Sequence, residues 1–270
     1  MPNLKSLFVL MALFNSSASG QASGTGTNMI AVICKNGIIL GGDSRFSVLD
    51  SSGQVVAWRD GYKKIYQCQK ILFGVNGQYE FDTLTFNGLY NRFLKSNRSR
   101  ITVDNFYNVF LEYAGKTISN KSYNDLKANQ FIVCGYRNNT PCIFLYEKTK
   151  IDSAVGMGFK TNNMEENSKG ETGNKFGDLY VRDGLKLIHS YLTEAELKTA
   201  RGTISRIGGQ NSVAYFETRK IGWWRDQDSD KAETLNEFVN SLDNGLLKMN
   251  YRSMKDSIIF RRRITGLKGK

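Results

Sequence analysis

Met29-Ile30-Ala31-Val32-Ile33-Cys34, a turn at Lys35-Asn36-Gly37, then Ile38-Ile39-Leu40-Gly41-Gly42-Asp43: two adjacent apolar runs joined by a short Asn-Gly turn open the strand-like part of this sequence. Such a pair reads as a β-hairpin. Working outward, Val55-Val56-Ala57-Trp58 and Lys64-Ile65-Tyr66 read as a second strand pair, and Ile71-Leu72-Phe73-Gly74-Val75 as a further strand. The spacing then changes to a helical period, with Phe86, Leu89, Tyr90, Phe93 and Leu94 in one segment and Phe106, Val109, Phe110, Tyr113 and Thr117 in the next. Phe131-Ile132-Val133-Cys134-Gly135 and Cys142-Ile143-Phe144-Leu145-Tyr146 return to a hairpin, and Ser153-Ala154-Val155-Gly156 adds a strand. Val181, Leu185, Ile188 and Leu192 mark a third helix before Ser212-Val213-Ala214-Tyr215-Phe216 closes with a strand. The order is β-rich, αα, β-rich, α, β. Strands grouped apart from helices, without βαβ alternation, predict an α+β protein of sheets covered by helices.

At 270 residues, 40% apolar and 23% charged, the chain has the composition of a globular protein rather than a disordered one. A single histidine, His189, and the absence of a Cys-x-x-Cys pair remove the usual zinc arrangements and most Ser-His-Asp readings. Gly156-Met157-Gly158 lacks the third glycine of a dinucleotide loop, and Gly170-Glu171-Thr172-Gly173 lacks the Gly-Lys-Ser/Thr of a P-loop. No cofactor and no metal is therefore expected. The net charge of +12 is spread along the chain, with no basic-aromatic stripe, which argues against a nucleic-acid binder.

The ends read differently from the middle. Residues 1–26 carry Lys5, the apolar run Leu7 to Phe14 and a small, polar stretch, the layout of a signal peptide; the alternative is a cleaved propeptide of a cytoplasmic protein. That run is too short to span a bilayer and no later segment qualifies, so no membrane span is expected. Cys34, Cys68, Cys134 and Cys142 are even in number, and Cys134 and Cys142 flank the turn Arg137 to Thr140 about symmetrically, as if to face each other across a hairpin; buried free thiols are the equal alternative. From about Ile221 a C-terminal extension follows. Asp226, Asp228, Asp230 and Glu237 echo a calcium loop, but Lys231 stands where glycine is needed, so Asp230 is read as a helix cap with Glu233 as its capping-box partner. Leu235, Phe238, Leu242 and Leu246 would line one side of that helix.

The candidate chemistry lies around Gly26-Thr27, Asp43-Ser44-Arg45, Lys63-Lys64-Ile65 and Asn76-Gly77-Gln78. In this order and spacing the sequence resembles a proteasome β-subunit of the N-terminal-nucleophile hydrolases, over about residues 27–220. Val133-Cys134-Gly135-Tyr136 and Val155-Gly156-Met157-Gly158 resemble later turns of that family. The resemblance implies a four-layer αββα sandwich, a cut before Thr27, and domains of 1–26 (leader), 27–220 (hydrolase-like) and 221–270 (extension). It also implies a homo-oligomer or ring, and a substrate cleft near Phe46, Tyr62, Asn76 and Tyr79 that favours apolar or aromatic side chains.

Each part has a physical task. A threonine hydroxyl is a weak nucleophile, whereas a freed α-amine with pKa of about 7.7 to 8.0 supplies a base on the same residue. Lys64 held by Asp43 would ease negative charge onto that oxygen, and a backbone N–H at Gly77 would stabilise an oxyanion. The chain departs from the family at Met157, where serine is usual, and at Ile204-Ser205-Arg206-Ile207-Gly208-Gly209, where Asp-x-x-Ser is usual; Ser205 or Thr203 is the candidate substitute. The expected activity is that of a threonine-type peptidase or amidase on a peptide or protein substrate. The competing expectation is a binding or structural protein of the same lineage without the reaction.

Overall fold

The computed structural model describes residues 29–50, 52, 54–97, 101–147, 150–155, 179–199, 209–225, 231–258 and 260. Strands β1 (Met29–Cys34) and β2 (Gly37–Gly42) form the opening hairpin, in register from Met29↔Gly42 to Cys34↔Gly37. β12 (Ser212–Glu217) lies along the other edge of β2, and β13 (Lys220–Arg225) pairs outside it, making a four-stranded antiparallel sheet. All positions of β1 and β2 are buried, which explains why their sequences are apolar throughout rather than alternating. One face packs under α4 (Val181–Thr199), where Ile188 and Leu192 meet Ile30, Val32 and Ile39. Gly41 permits this approach, since a Cβ there would lie 2.8 Å from Ile188 Cγ2.

The other face, with Met29, Ala31, Ile33, Ile38 and Leu40, packs on a second sheet. That sheet holds β5 (Ile65–Cys68), β6 (Ile71–Asn76), β9 (Gln130–Arg137), β10 (Thr140–Glu147) and β11 (Lys150–Val155), in the order β11-β10-β9-β6-β5. Helices α1 (Phe86–Ser96) and α2 (Phe106–Thr117) bury Phe86, Phe93, Phe106 and Phe110 in the largest apolar cluster, with Phe73 and Phe131 from the sheet. Each such ring contributes roughly 1.5 to 3 kcal/mol of burial. α3 (Asn120–Lys127) is polar and lacks the stripe that would announce it. It starts where Ser119 Oγ accepts from Ser122 N–H and the Asp82 carboxylate accepts from both serine hydroxyls.

The four-layer αββα sandwich is corrected by the strand topology. Among the described residues the strands form four separate antiparallel sheets, of four, five, three and two strands, and helices are few. The three-stranded sheet joins β3 (Phe46–Leu49), β4 (Val55–Arg59) and β14 (Asn250–Tyr251), and the ribbon joins β7 (Glu80–Phe81) to β8 (Leu84–Thr85). The three-stranded sheet exists because the extension returns across the molecule: Asn250↔Trp58 and Tyr251↔Ala57 pair it to β4. The expected pairing of Val55–Trp58 with Lys64–Tyr66 is likewise replaced, by β3 with β4 and by β5 with β6. A predominantly antiparallel β protein results.

The extension is part of this core. Thr85 N–H donates to Glu233 O at 3.1 Å and Leu235 N–H to Thr83 O at 2.9 Å, and α5 (Leu235–Asp243) adds Phe238 and Val239 to the largest cluster. The boundary expected at 220/221 falls within β13. The cap of α5 is Thr234, in a capping box with Glu237, not Asp230 with Glu233; Asp226, Asp228 and Asp230 lie outside the described residues. The large apolar residues of α1 and α2 are mostly spent inside the chain, leaving Leu94 41% exposed. No described helix is long and apolar enough to cross a membrane.

Candidate functional site

Asp43 follows β2 and Lys64 precedes β5, so the ends of strands from two different sheets bring them together. The Lys64 ammonium donates to Asp43 Oδ1 at 3.1 Å and Oδ2 at 3.0 Å, and both residues are buried. The Lys64 backbone is held as well, its carbonyl accepting from Val75 N–H at 3.0 Å. Burial pushes the Lys64 ammonium below its ordinary pKa, and the Asp43 carboxylate opposes that shift.

A second charge pair flanks the first. Arg45 donates to both oxygens of Asp60, Nε at 2.7 Å and Nη2 at 2.9 Å, while its backbone N–H donates to Asp43 Oδ2 at 3.2 Å. Ser44 Oγ accepts from Gly61 N–H at 3.1 Å, and its carbonyl accepts from Tyr62 N–H at 2.8 Å. Gly209, at φ +79°, closes against this loop: a Cβ there would lie 2.6 Å from Ser44 Oγ and 2.8 Å from Asp60 Cβ. The Asp-Ser-Arg segment is thus clamped by the 60–62 turn and by the glycine junction ahead of β12.

Gly77 follows β6 at φ +136°, in the region that favours glycine, and a Cβ there would stand 2.0 Å from Asn129 Oδ1. Asn129 grips the next residue from both sides: its Oδ1 accepts from Gln78 N–H at 2.6 Å and its Nδ2 donates to Gln78 O at 2.9 Å. Asn76 Nδ2 donates to Gln130 Oε1 at 3.0 Å, extending the polar network along β9. Asn129 was not identifiable as a site residue, because its partner lies 51 residues away and no local pattern marks it.

Ser212 is the other residue that sequence reasoning misses. It pairs with Gly42, which pairs in turn with Met29, so the three stand in one row across the sheet. Paired residues share a face, and Met29 and Ala214 place that face between the two large sheets. Ser212 is 1% exposed, and its Oγ is buried without a hydrogen-bond partner.

Thr27 and Ser205 lie outside the described residues, as do Thr203 and Met157. The chain enters the described region at Met29, beside Gly42 and therefore one residue from Asp43, with its Sδ 2.6 Å from where a Gly74 Cβ would be. The structure thus brings Asp43 and Lys64 together and sets Gly77 in a special backbone conformation. The cysteines are poor candidates for nucleophiles: burial pushes Cys34 up to about 12 and both Cys68 and Cys142 up to about 11, and it raises Cys134 as well. Cys134 and Cys142 do not face each other. Cys134 is opposite Ile143 and packs between the sheets, while Cys142 is opposite Gly135 and packs toward α1 and α2. His189 sits on α4 with its ring edge-on to Trp224, centroids 5.3 Å apart. Among the described residues, no three His, Cys, Asp or Glu side chains gather in a way that could hold a metal ion. No protein-family model matches this chain, and no curated protein matches it in sequence.

Proposed function

We propose that the chain is a threonine-type N-terminal-nucleophile hydrolase that acts on peptide or amide bonds after cleavage between Gly26 and Thr27. The observation that carries this reading is the buried Lys64–Asp43 pair, one residue along from the pairing partner of Met29. A buried ammonium, even one bound to a carboxylate, costs desolvation that a purely apolar site would avoid. A reaction that places negative charge on a nearby oxygen gives it a use.

In this mechanism the neutral α-amine of Thr27 takes the hydroxyl proton as Oγ1 attacks the carbonyl carbon. The C–N bond then breaks and the departing amine leaves with that proton. Water, deprotonated by the same amine, cleaves the ester and regenerates the hydroxyl. Lys64 lowers the cost of charge on Oγ1, Asp43 holds Lys64, and the turn at Gly77 presents backbone N–H to the oxyanion. Ser205 is assigned to orienting the α-amine.

A second reading, a non-catalytic binding or structural protein, draws on one observation: Phe46 and Tyr79 are buried against Phe238 of the chain's own α5, with Tyr62 buried beside them, rather than lining an open cleft. The two readings part at the N-terminus of the purified mature protein, read by mass spectrometry. A chain beginning at Thr27 that hydrolyses peptide amides supports the hydrolase. A chain whose Thr27 remains within an intact peptide has no nucleophilic amine and sinks it.

A further inference from the structure

Six large apolar side chains are exposed among the described residues, and three of them, Leu246, Met254 and Ile258, fall within one stretch of the extension. Leu246 and Met254 are the most exposed of the six, at 78% and 83%. Residues 254–258 are helical. Ser253 caps that turn, its Oγ accepting from Asp256 N–H at 3.2 Å. Helical positions four apart share a face, so Met254 and Ile258 stand together. Asp256 and Phe260 take the opposite side, and both are buried.

The same stretch borders an open cavity of about 490 Å³ whose apolar lining includes Leu242 of α5, Leu247, Met249, Tyr251 and Phe260. Gly245 lines it as well, so Leu246 lies in the sequence between two lining residues. The exposed side chains therefore border one apolar surface instead of being scattered singly. That surface is held in a fixed shape. Asn250 and Tyr251 pair with β4, Arg252 N–H donates to Val56 O at 3.0 Å, and Arg252 Nη1 donates to Gln54 Oε1 at 2.7 Å.

Charge adds a second, independent feature. Directly after Phe260, and outside the described residues, the sequence reads Arg261-Arg262-Arg263, with Lys268 and Lys270 beyond. The last acidic residue of the chain is Asp256, whose carboxylate is paired with Arg252 at 3.1 Å. Residues 257–270 thus carry five cations and no acid.

We propose that this face of the extension docks on an anionic phospholipid membrane surface. Leu246, Met254 and Ile258 enter the headgroup layer, and the basic end binds the anionic headgroups. Neither part suffices by itself: three side chains bury little area, and exposed cations alone are screened by salt. A second copy of the chain fits less well, because a two-fold contact here brings two basic ends together. A nucleic acid would use the cations and leave the three apolar side chains in water. The association is peripheral, and it is independent of whether Thr27 is a nucleophile.

The test is flotation of the full chain with vesicles of phosphatidylcholine alone or with about 30% phosphatidylserine. Binding to the serine-lipid vesicles should be about tenfold or more tighter, and should weaken as salt rises from about 0.1 to 0.5 M. Leu246→Ser/Met254→Ser and Arg261→Gln/Arg262→Gln/Arg263→Gln should each weaken it about tenfold or more. Residues 1–26 are the same in every variant, so binding through them would not respond to these substitutions. Thermal melts identify the folded variants, and if one does not fold, the other and the lipid comparison still decide. Equal binding to the two lipids, or undiminished binding by a folded variant, overturns the proposal. So does binding of a short DNA duplex that is tighter than that of the vesicles and unchanged in Leu246→Ser/Met254→Ser. Light scattering that shows an oligomer split into monomers by the same variant would make this a contact between copies, and would overturn it as well.

Discussion

Lys64 and Asp43 meet at 3.0 and 3.1 Å through both carboxylate oxygens, from the ends of strands in different sheets and with essentially no exposure to solvent. Removing one partner strands the other charge in the core. Lys64→Ala should therefore cost about 3 to 5 kcal/mol. Lys64→Arg keeps the charge but brings a planar fork into a compact site, so stability should partly return while peptide hydrolysis stays low. Thermal melts and single-turnover assays read both effects. Two silent variants would remove Lys64 from the site.

Thr27→Ala should abolish both cleavage after Gly26 and turnover of peptide amides without changing the melting temperature. Intact-mass measurement and a peptide-amide assay check it, and normal turnover in that variant would end the threonine mechanism.

Ser212 predicts an effect of the opposite sign. Its buried Oγ has no hydrogen-bond partner, and an unsatisfied hydroxyl costs about 1 to 3 kcal/mol. Ser212→Ala should stabilise the chain, and the urea midpoint should rise at unchanged slope. A lower midpoint would mean that the hydroxyl has a partner in solution.

At Gly77 the backbone and the space act together. Gly77→Ala adds a methyl where Asn129 Oδ1 stands and imposes φ +136° on a residue with a side chain, so a loss of about 2 kcal/mol or more is expected. Asn129→Ala relieves the clash but frees Gln78, so adding it to Gly77→Ala should recover part of the loss. Strict additivity in a double-mutant cycle would refute this coupling.

Lys64 also sets the direction of a pH effect. Its folded pKa lies below the ordinary 10.5, so over the interval between the two values the unfolded chain binds the proton that the folded chain has released. The contribution of this group to stability therefore increases as pH rises toward 10.5 and declines as pH falls through the folded value. Compared with Lys64→Met, which cannot titrate, the unaltered protein should show the steeper gain in stability as pH rises toward 10.5. A flat or reversed difference in urea titrations would place Lys64 in contact with water.

The elements themselves were largely legible in the sequence because periodicity is a local property. The runs from Met29 to Gly42 alternate with a turn that leaves one pairing available, and the stripes of α1, α2 and α4 follow from the helical repeat. The association of Asp43 with Lys64 was also legible, through the resemblance, although no local rule places them in contact. What only the tertiary structure decided were the pairings between distant segments. Backbone N–H and C=O groups are the same at every residue, so nothing within Val55–Arg59 says whether it pairs with Phe46–Leu49 or with Ile65–Cys68, nor that Asn250–Tyr251 completes its sheet. The same reason hid Asn129, Ser212 and Phe238. A polar clamp, an unsatisfied hydroxyl and a ring packed on Phe46 and Tyr79 are defined by neighbours tens to hundreds of residues away, and those neighbours are chosen by how the sheets stack and where the extension returns.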